Sequence, residues 1–234
     1  MVVERGGAVV IFLIFLSGLV QLEAIRGRHL LPSVPRPPPN DAAAFARWLV
    51  SQSSWGVLNT IASDLGGAPF GNVVSYSDGA PGEGRGTPFF YLTTLDPTAK
   101  YGLEDQRSSF TISEYPIGTC GDKDPENPTC AKITFTGKFK LLGENSEEAQ
   151  FAQTALFTKH HEMAGWPEDH NFQILKLEIE AIFLINWYGG PKPLTVDEYL
   201  QSQIPSSNQV KMVSSGNLIS TSVPKLIPWL DWST

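Results

Sequence analysis

The chain has 234 residues and a formal net charge of −7, with 41% hydrophobic and 18% charged residues. That is apolar enough for a genuine core and too weakly charged for a disordered chain. Eighteen prolines, 21 glycines, 13 Phe, 6 Trp and 6 Tyr favour turns and aromatic strands over a helical bundle, and the acidic balance argues against nucleic acid as a partner, because phosphate binding needs a basic face.

Ala8–Val20, AVVIFLIFLSGLV, is an apolar run of 13 residues behind Arg5. It is short for a bilayer span and suits the core of a secretory signal peptide. With the small residue Ala24 as a cleavage site, residues 1–24 read as a signal peptide, and cleavage would leave no transmembrane anchor. Residues 25–39 hold five prolines and read as an extended linker. Asn40 or Asp41 then caps a helix over AAAFARWLVSQSS, with Ala44, Phe45, Trp48 and Leu49 on one face.

From there the pattern turns to period two. Trp55, Val57, Asn59 and Ile61 oppose Gly56, Leu58, Thr60 and Ala62, a strand. Asn72–Ser77 and Pro88–Thr94 are short strands on either side of a Gly-rich turn, and Ser108–Ser113 is another. In Ala131–Leu142, Ile133, Phe135, Phe139 and Leu141 alternate with lysines and threonines, which predicts one buried and one solvated face. Phe172–Trp187 begins the same way, but its second half, AIFLINW, is apolar on both faces. Such a strand enters a second layer or a subunit interface. Asn145 with Glu148 reads as a capping box for SEEAQFAQTALFTKH, with Phe151, Ala155 and Leu156 inward, and Thr195 with Glu198 as a second box. After Ile204 the chain reads as an irregular tail. Six strands with short turns and three helices predict a mainly β, closed or split β-barrel.

Catalytic signatures are mostly missing. His161-Glu162 resembles the start of a zinc-protease helix, but Gly165 stands where the second histidine must be. His160, His161 and His170 surround Trp166, and this turn is an interaction candidate; no helical face gathers the histidines into a metal site. Gly79–Gly86, GAPGEGRG, lies between strands rather than before a helix, so it reads as a flexible turn, with Arg85 a weak candidate for holding a phosphate. Lys100 and Arg107 are the other basic groups able to serve one. Cys120 and Cys130 flank a Pro/Asp/Asn-rich turn, and in an oxidising compartment they read as a local disulfide.

WGVLNTIAS, APFGNVVSYSDGAPGEGRGTPFFYLTTLD and ALFTKHHEMAGWPEDHNFQILKLEIEAIFLINWYGGPKPLTVDEYL resemble blocks of the CREG family of "cellular repressor" glycoproteins, in order over about Asp41–Gln201. The two cysteines stand where that family has a spaced pair. The resemblance implies an FMN-binding-type split β-barrel of the pyridoxamine-phosphate-oxidase-like kind, with a few flanking helices, usually a homodimer. It places Lys100, with Arg85 next, where flavin-binding relatives hold the FMN phosphate. It also implies a lineage that kept this fold and lost flavin, so no cofactor and no catalytic residue is expected. The expected organisation is a signal peptide (1–24), a linker (25–39), a split-barrel domain (40–204) and a tail (205–234). The expected role is that of a secreted or endolysosomal/vacuolar protein acting through protein contacts; an FMN-dependent oxidoreductase and a small-ligand carrier are the alternatives. One departure is that no asparagine lies in a glycosylation sequon, Asn127 being followed by Pro128.

Overall fold

The computed structural model describes residues 34–204. The expected signal peptide, most of the proline-rich linker and the tail lie outside the described residues.

Alternating side chains build six strands: β1 (Trp55–Ala62), β2 (Ala68–Ser75), β3 (Phe89–Leu92), β4 (Arg107–Ser113), β5 (Lys132–Leu141) and β6 (Gln173–Ile185). They form one antiparallel sheet in the order β2-β1-β4-β5-β6-β3. The sheet curls until its two edges, β2 and β3, touch through an isolated bridge between Ser77 and Phe89. This is a split β-barrel. β2 and β3 are therefore opposite rims of the split, not two arms of a hairpin.

The inward face carries Leu58, Phe110, Ile112, Ile133, Phe135, Phe139, Leu175, Leu177 and Leu184, all buried. Phe90 packs on Phe110 and Phe139, with centroids 5.1 and 5.8 Å away. The expected alternation of β5 fails at its end, where Leu141 is exposed and Leu142 takes the buried place. The register of β5 on β6 shifts between Thr136 and Gly137. A Cβ at Gly137 would lie 1.9 Å from the Glu178 carbonyl oxygen, so the shift needs glycine there.

Four helices flank the sheet among the described residues. α1 (Ala42–Gln52) is capped by Asp41, whose carboxylate accepts from the Ala44 amide at 3.1 Å. α2 (Pro97–Glu104) starts at Asp96-Pro97, a cap followed by a proline at the first helical position. No helical period is visible here in the sequence, although that dipeptide marks the start. α3 (Glu147–Lys159) is capped by Ser146 rather than Asn145. Starting one residue later, the helix places Ala149 at the third position, where its amide donates to the Ser146 hydroxyl at 3.1 Å. Glu148 instead turns to β6 and binds Lys176 at 2.8 Å. α4 (Val196–Gln201) carries the expected capping box of Thr195 and Glu198.

A buried carboxylate ties the segment before α1 to the sheet. Glu114 accepts from the Arg36 guanidinium at 2.6 and 3.0 Å, the Thr119 hydroxyl at 2.7 Å and the Ala131 amide at 2.8 Å. Burial would raise its pKa, but these donors outweigh burial and hold the carboxyl below its ordinary value. Beside it Cys120 and Cys130 form a disulfide, as expected.

Candidate functional site

The Gly-rich segment is a wrapped loop, not a flexible turn. Asp78, 1% exposed, lies beneath it. Its carboxylate accepts from the Gly86 amide at 3.2 Å and its carbonyl from the Arg85 amide at 2.8 Å. From α1, buried Arg47 donates to the Gly84 carbonyl, and from α4 the Tyr199 hydroxyl donates to the Gly86 carbonyl at 2.7 Å. Two glycines make the wrap possible. A Cβ on Gly84 would meet Asp78 Oδ2 at 2.5 Å, and one on Gly86, at φ +85°, would meet Arg47 Nη1 at 2.3 Å.

Lys159, at the end of α3, completes this cluster. Its ammonium donates to the Ser51 carbonyl at 3.4 Å and lies 4.9 Å above the Tyr76 ring. Burial raises the Asp78 carboxyl, an effect partly offset by Lys159, Arg47 and the Gly86 amide. Burial likewise lowers Lys159, opposed by Asp78. Arg47 and Asp78 were not singled out from sequence. The available signal was an arginine inside an apolar helical run beside Trp48.

The three phosphate candidates engage different groups. The Arg85 guanidinium lies over the Phe151 ring of α3, its carbon 3.5 Å from the ring centre. Lys100, on α2, has its ammonium 3.9 Å from Asp64 and 5.6 Å from the Tyr101 ring centre. Arg107 pairs with Asp105 at 2.5 Å and holds that carboxyl at about 2.

The histidines are also dispersed. His160 ends α3 with Nε2 2.9 Å from the Tyr76 carbonyl, and burial lowers its pKa. Exposed His161 has Nδ1 3.1 Å from the Phe157 carbonyl. His170 contributes its backbone carbonyl to the Thr93 hydroxyl at 2.6 Å. Among the described residues no three His, Cys, Asp or Glu side chains could hold a metal together.

Trp166 of that turn belongs to a cleft. Where β2 and β3 diverge from the Ser77–Phe89 bridge, a recess of about 420 Å³ opens, lined by Val73, Ser75, Tyr91, Thr93, Met163 and Phe172 among others. Tyr91 stacks near-parallel on Phe172 (5.0 Å, 27°) and on Trp166 (5.9 Å, 17°), and meets Phe157 edge-on at 5.3 Å. The one charged residue lining it is Asp96, whose carboxylate also accepts from the Thr98 amide at 2.8 Å and the Asn72 side-chain amide at 3.3 Å. Partial burial and the Glu168 carboxylate both raise the Tyr91 phenol. The recess is apolar, aromatic and negative at its rim.

The outer face of the barrel beside it is uncharged over two rows. Val73, Val57, Thr111, Thr134 and Phe183 lie in register across β2-β1-β4-β5-β6, and Gly71, Asn59, Ser109, Thr136 and Ala181 form the next row. Val73 is 60% and Phe183 45% exposed. Beyond these rows come Arg107, Lys138 and Glu178. The stretch AIFLINW thus buries Leu184 and Asn186 inward while Phe183 and Trp187 face solvent.

The family model described as "CREG, beta-barrel" matches residues 37–201. The chain belongs to the CREG family. It is 40% identical to Protein CREG1 of Gallus gallus over 169 residues, which span 70% of this chain and 87% of that one. Human Protein CREG2 is 35% identical over 170 residues, 71% of this chain and 58% of the relative. Among solved structures, the heme binding protein from Mycobacterium smegmatis superposes with a TM-score of 0.58 at 18% identity, covering 73% of this CREG-family chain and 63% of its own. That likeness concerns the fold.

Proposed function

We propose that this CREG-family chain enters the secretory pathway, pairs with a second copy through the uncharged outer face of its sheet, and acts through protein contacts without flavin. The observation that carries the reading is the two-row face itself. Five strands contribute uncharged residues in register, and Val73 and Phe183 stand exposed on it among the described residues. A contiguous face of this kind, bounded by a charged row, matches the composition of an interface core and its polar rim. The apolar run Ala8–Val20 and the Cys120–Cys130 disulfide support an oxidising, secretory route.

The groups expected to hold an FMN phosphate do not fit that task. Arg85 is laid on Phe151 and Lys100 is turned to Asp64. The open recess presents Asp96, which repels a phosphate, and no lysine or arginine lines it. The same fold therefore serves recognition here rather than redox chemistry, which needs a bound flavin.

Sedimentation velocity of the purified protein tests the dimer. Wild type sediments as two copies, and Phe183→Glu, which places a charge at the β6 end of the face, sediments as one folded copy. A monomeric wild type, or a dimer indifferent to Phe183→Glu and to Val73→Glu, contradicts the reading.

A further inference from the structure

We infer that the cleft between β2 and β3 is a binding site for small flat apolar ligands that carry a positive charge, such as an aromatic amine. This goes beyond recognition through the sheet face, with which the cleft shares Val73.

The volume, about 420 Å³, lies in the range of small-molecule sites. Its walls supply what an aromatic body binds: half-buried Tyr91, Trp166 and Phe172, with buried Met163 below. The rings already stack on one another at near-parallel angles, so their planes are set before a ligand arrives. Ser75 and Thr93 add polar atoms at the strand edges.

The charge pattern then selects among flat ligands. Among the described residues Asp96 is the one acidic or basic side chain in the lining, and the Glu168 carboxylate acts on the Tyr91 phenol from outside it. A cation gains from both carboxylates and from the ring faces. A carboxylate or phosphate meets repulsion with no basic partner to offset it. Asp96 also caps α2, so its carboxylate is fixed rather than swinging on a free side chain. The cation preference thus belongs to the architecture of the cleft and not to a mobile surface charge.

Three probes sharing one ring system test this on the full chain by equilibrium dialysis at pH 7: 1-naphthylmethylamine (cation), 1-naphthalenemethanol (neutral) and 1-naphthoate (anion). The amine binds at least about tenfold more tightly than the acid, with the alcohol between them. Asp96→Asn, which keeps a good helix cap, brings the amine down towards the alcohol and leaves the alcohol unchanged. Trp166→Ala weakens all three. Equal or tighter binding of the acid overturns the proposal, as does amine binding that neither variant changes, or the lack of saturable amine binding at about 1 mM, the weak end of specific affinity.

Discussion

The Gly-rich loop and the open cleft sit on either side of the Ser77–Phe89 bridge, and each holds half of what a nucleotide would need. The loop has the cations and amides, but Arg47 donates through Nη2 to the Gly84 carbonyl, Arg85 lies over the Phe151 ring and the Gly86 amide donates to Asp78. The cleft has the space and the aromatic walls, but its charge is negative. A fold shared with cofactor-binding proteins therefore says little about chemistry until the direction of each charged side chain is known.

The sharpest way to break the comparison is to remove the cation that organises the loop. Arg47→Met removes the donor to the Gly84 carbonyl and leaves buried Asp78 with one cation fewer, which lowers stability by about 3 kcal/mol, read as a drop in the urea midpoint. Next comes the wrap itself. Gly86→Ala combines a left-handed φ with a clash on Arg47 and costs about 3 kcal/mol. Gly82→Ala, at φ +86° but facing open space, costs only about 1 kcal/mol. Equal losses at the two positions would mean that the loop is a plain turn.

The smallest effect is one of pH. Burial leaves the Asp78 carboxyl above its ordinary 3.8, so the folded chain binds that proton more tightly than the unfolded one. Asp78 then adds stability as the pH falls from above its raised value towards 3.8, and the gain is complete below that. Glu114 works in the opposite sense. Its carboxyl is held below 4.5, so its contribution is present above 4.5 and lost as the pH falls through the folded value. Urea midpoints measured against pH should therefore move in favour of wild type over Asp78→Asn on acidification, and against wild type relative to Glu114→Gln. Parallel curves for wild type and both variants would refute the assignment of opposite environments.

Much of the barrel was legible because a sheet with one wet face writes its burial into alternate residues, as β1, β4 and β5 do. The exceptions have physical causes. α2 is eight residues long with a glycine inside, too short for a helical period to show, and only Asp96-Pro97 marks it. The cap of α3 was misplaced because Asn145 and Ser146 are both good caps, and the structure chooses by giving Glu148 a partner in Lys176. The dry end of β6 was visible as residues apolar on both faces, although which face stays open required the sheet.

The cleft was not legible. Tyr91, Asp96, Trp166 and Phe172 come from β3, a helix cap and a loop, and they meet only because the two sheet edges separate at that point. Likewise family likeness singled out Arg85 and Lys100 as basic groups, but nothing local says that one lies on Phe151 and the other faces Asp64.

The most direct test of this division between loop and cleft is a titration of the purified protein with flavin mononucleotide, followed by flavin fluorescence and native mass spectrometry. The account predicts no stoichiometric flavin and no difference between wild type and the Arg85→Ala/Lys100→Ala double variant. One flavin mononucleotide per chain, lost in that double variant, would contradict it and return the barrel to redox chemistry.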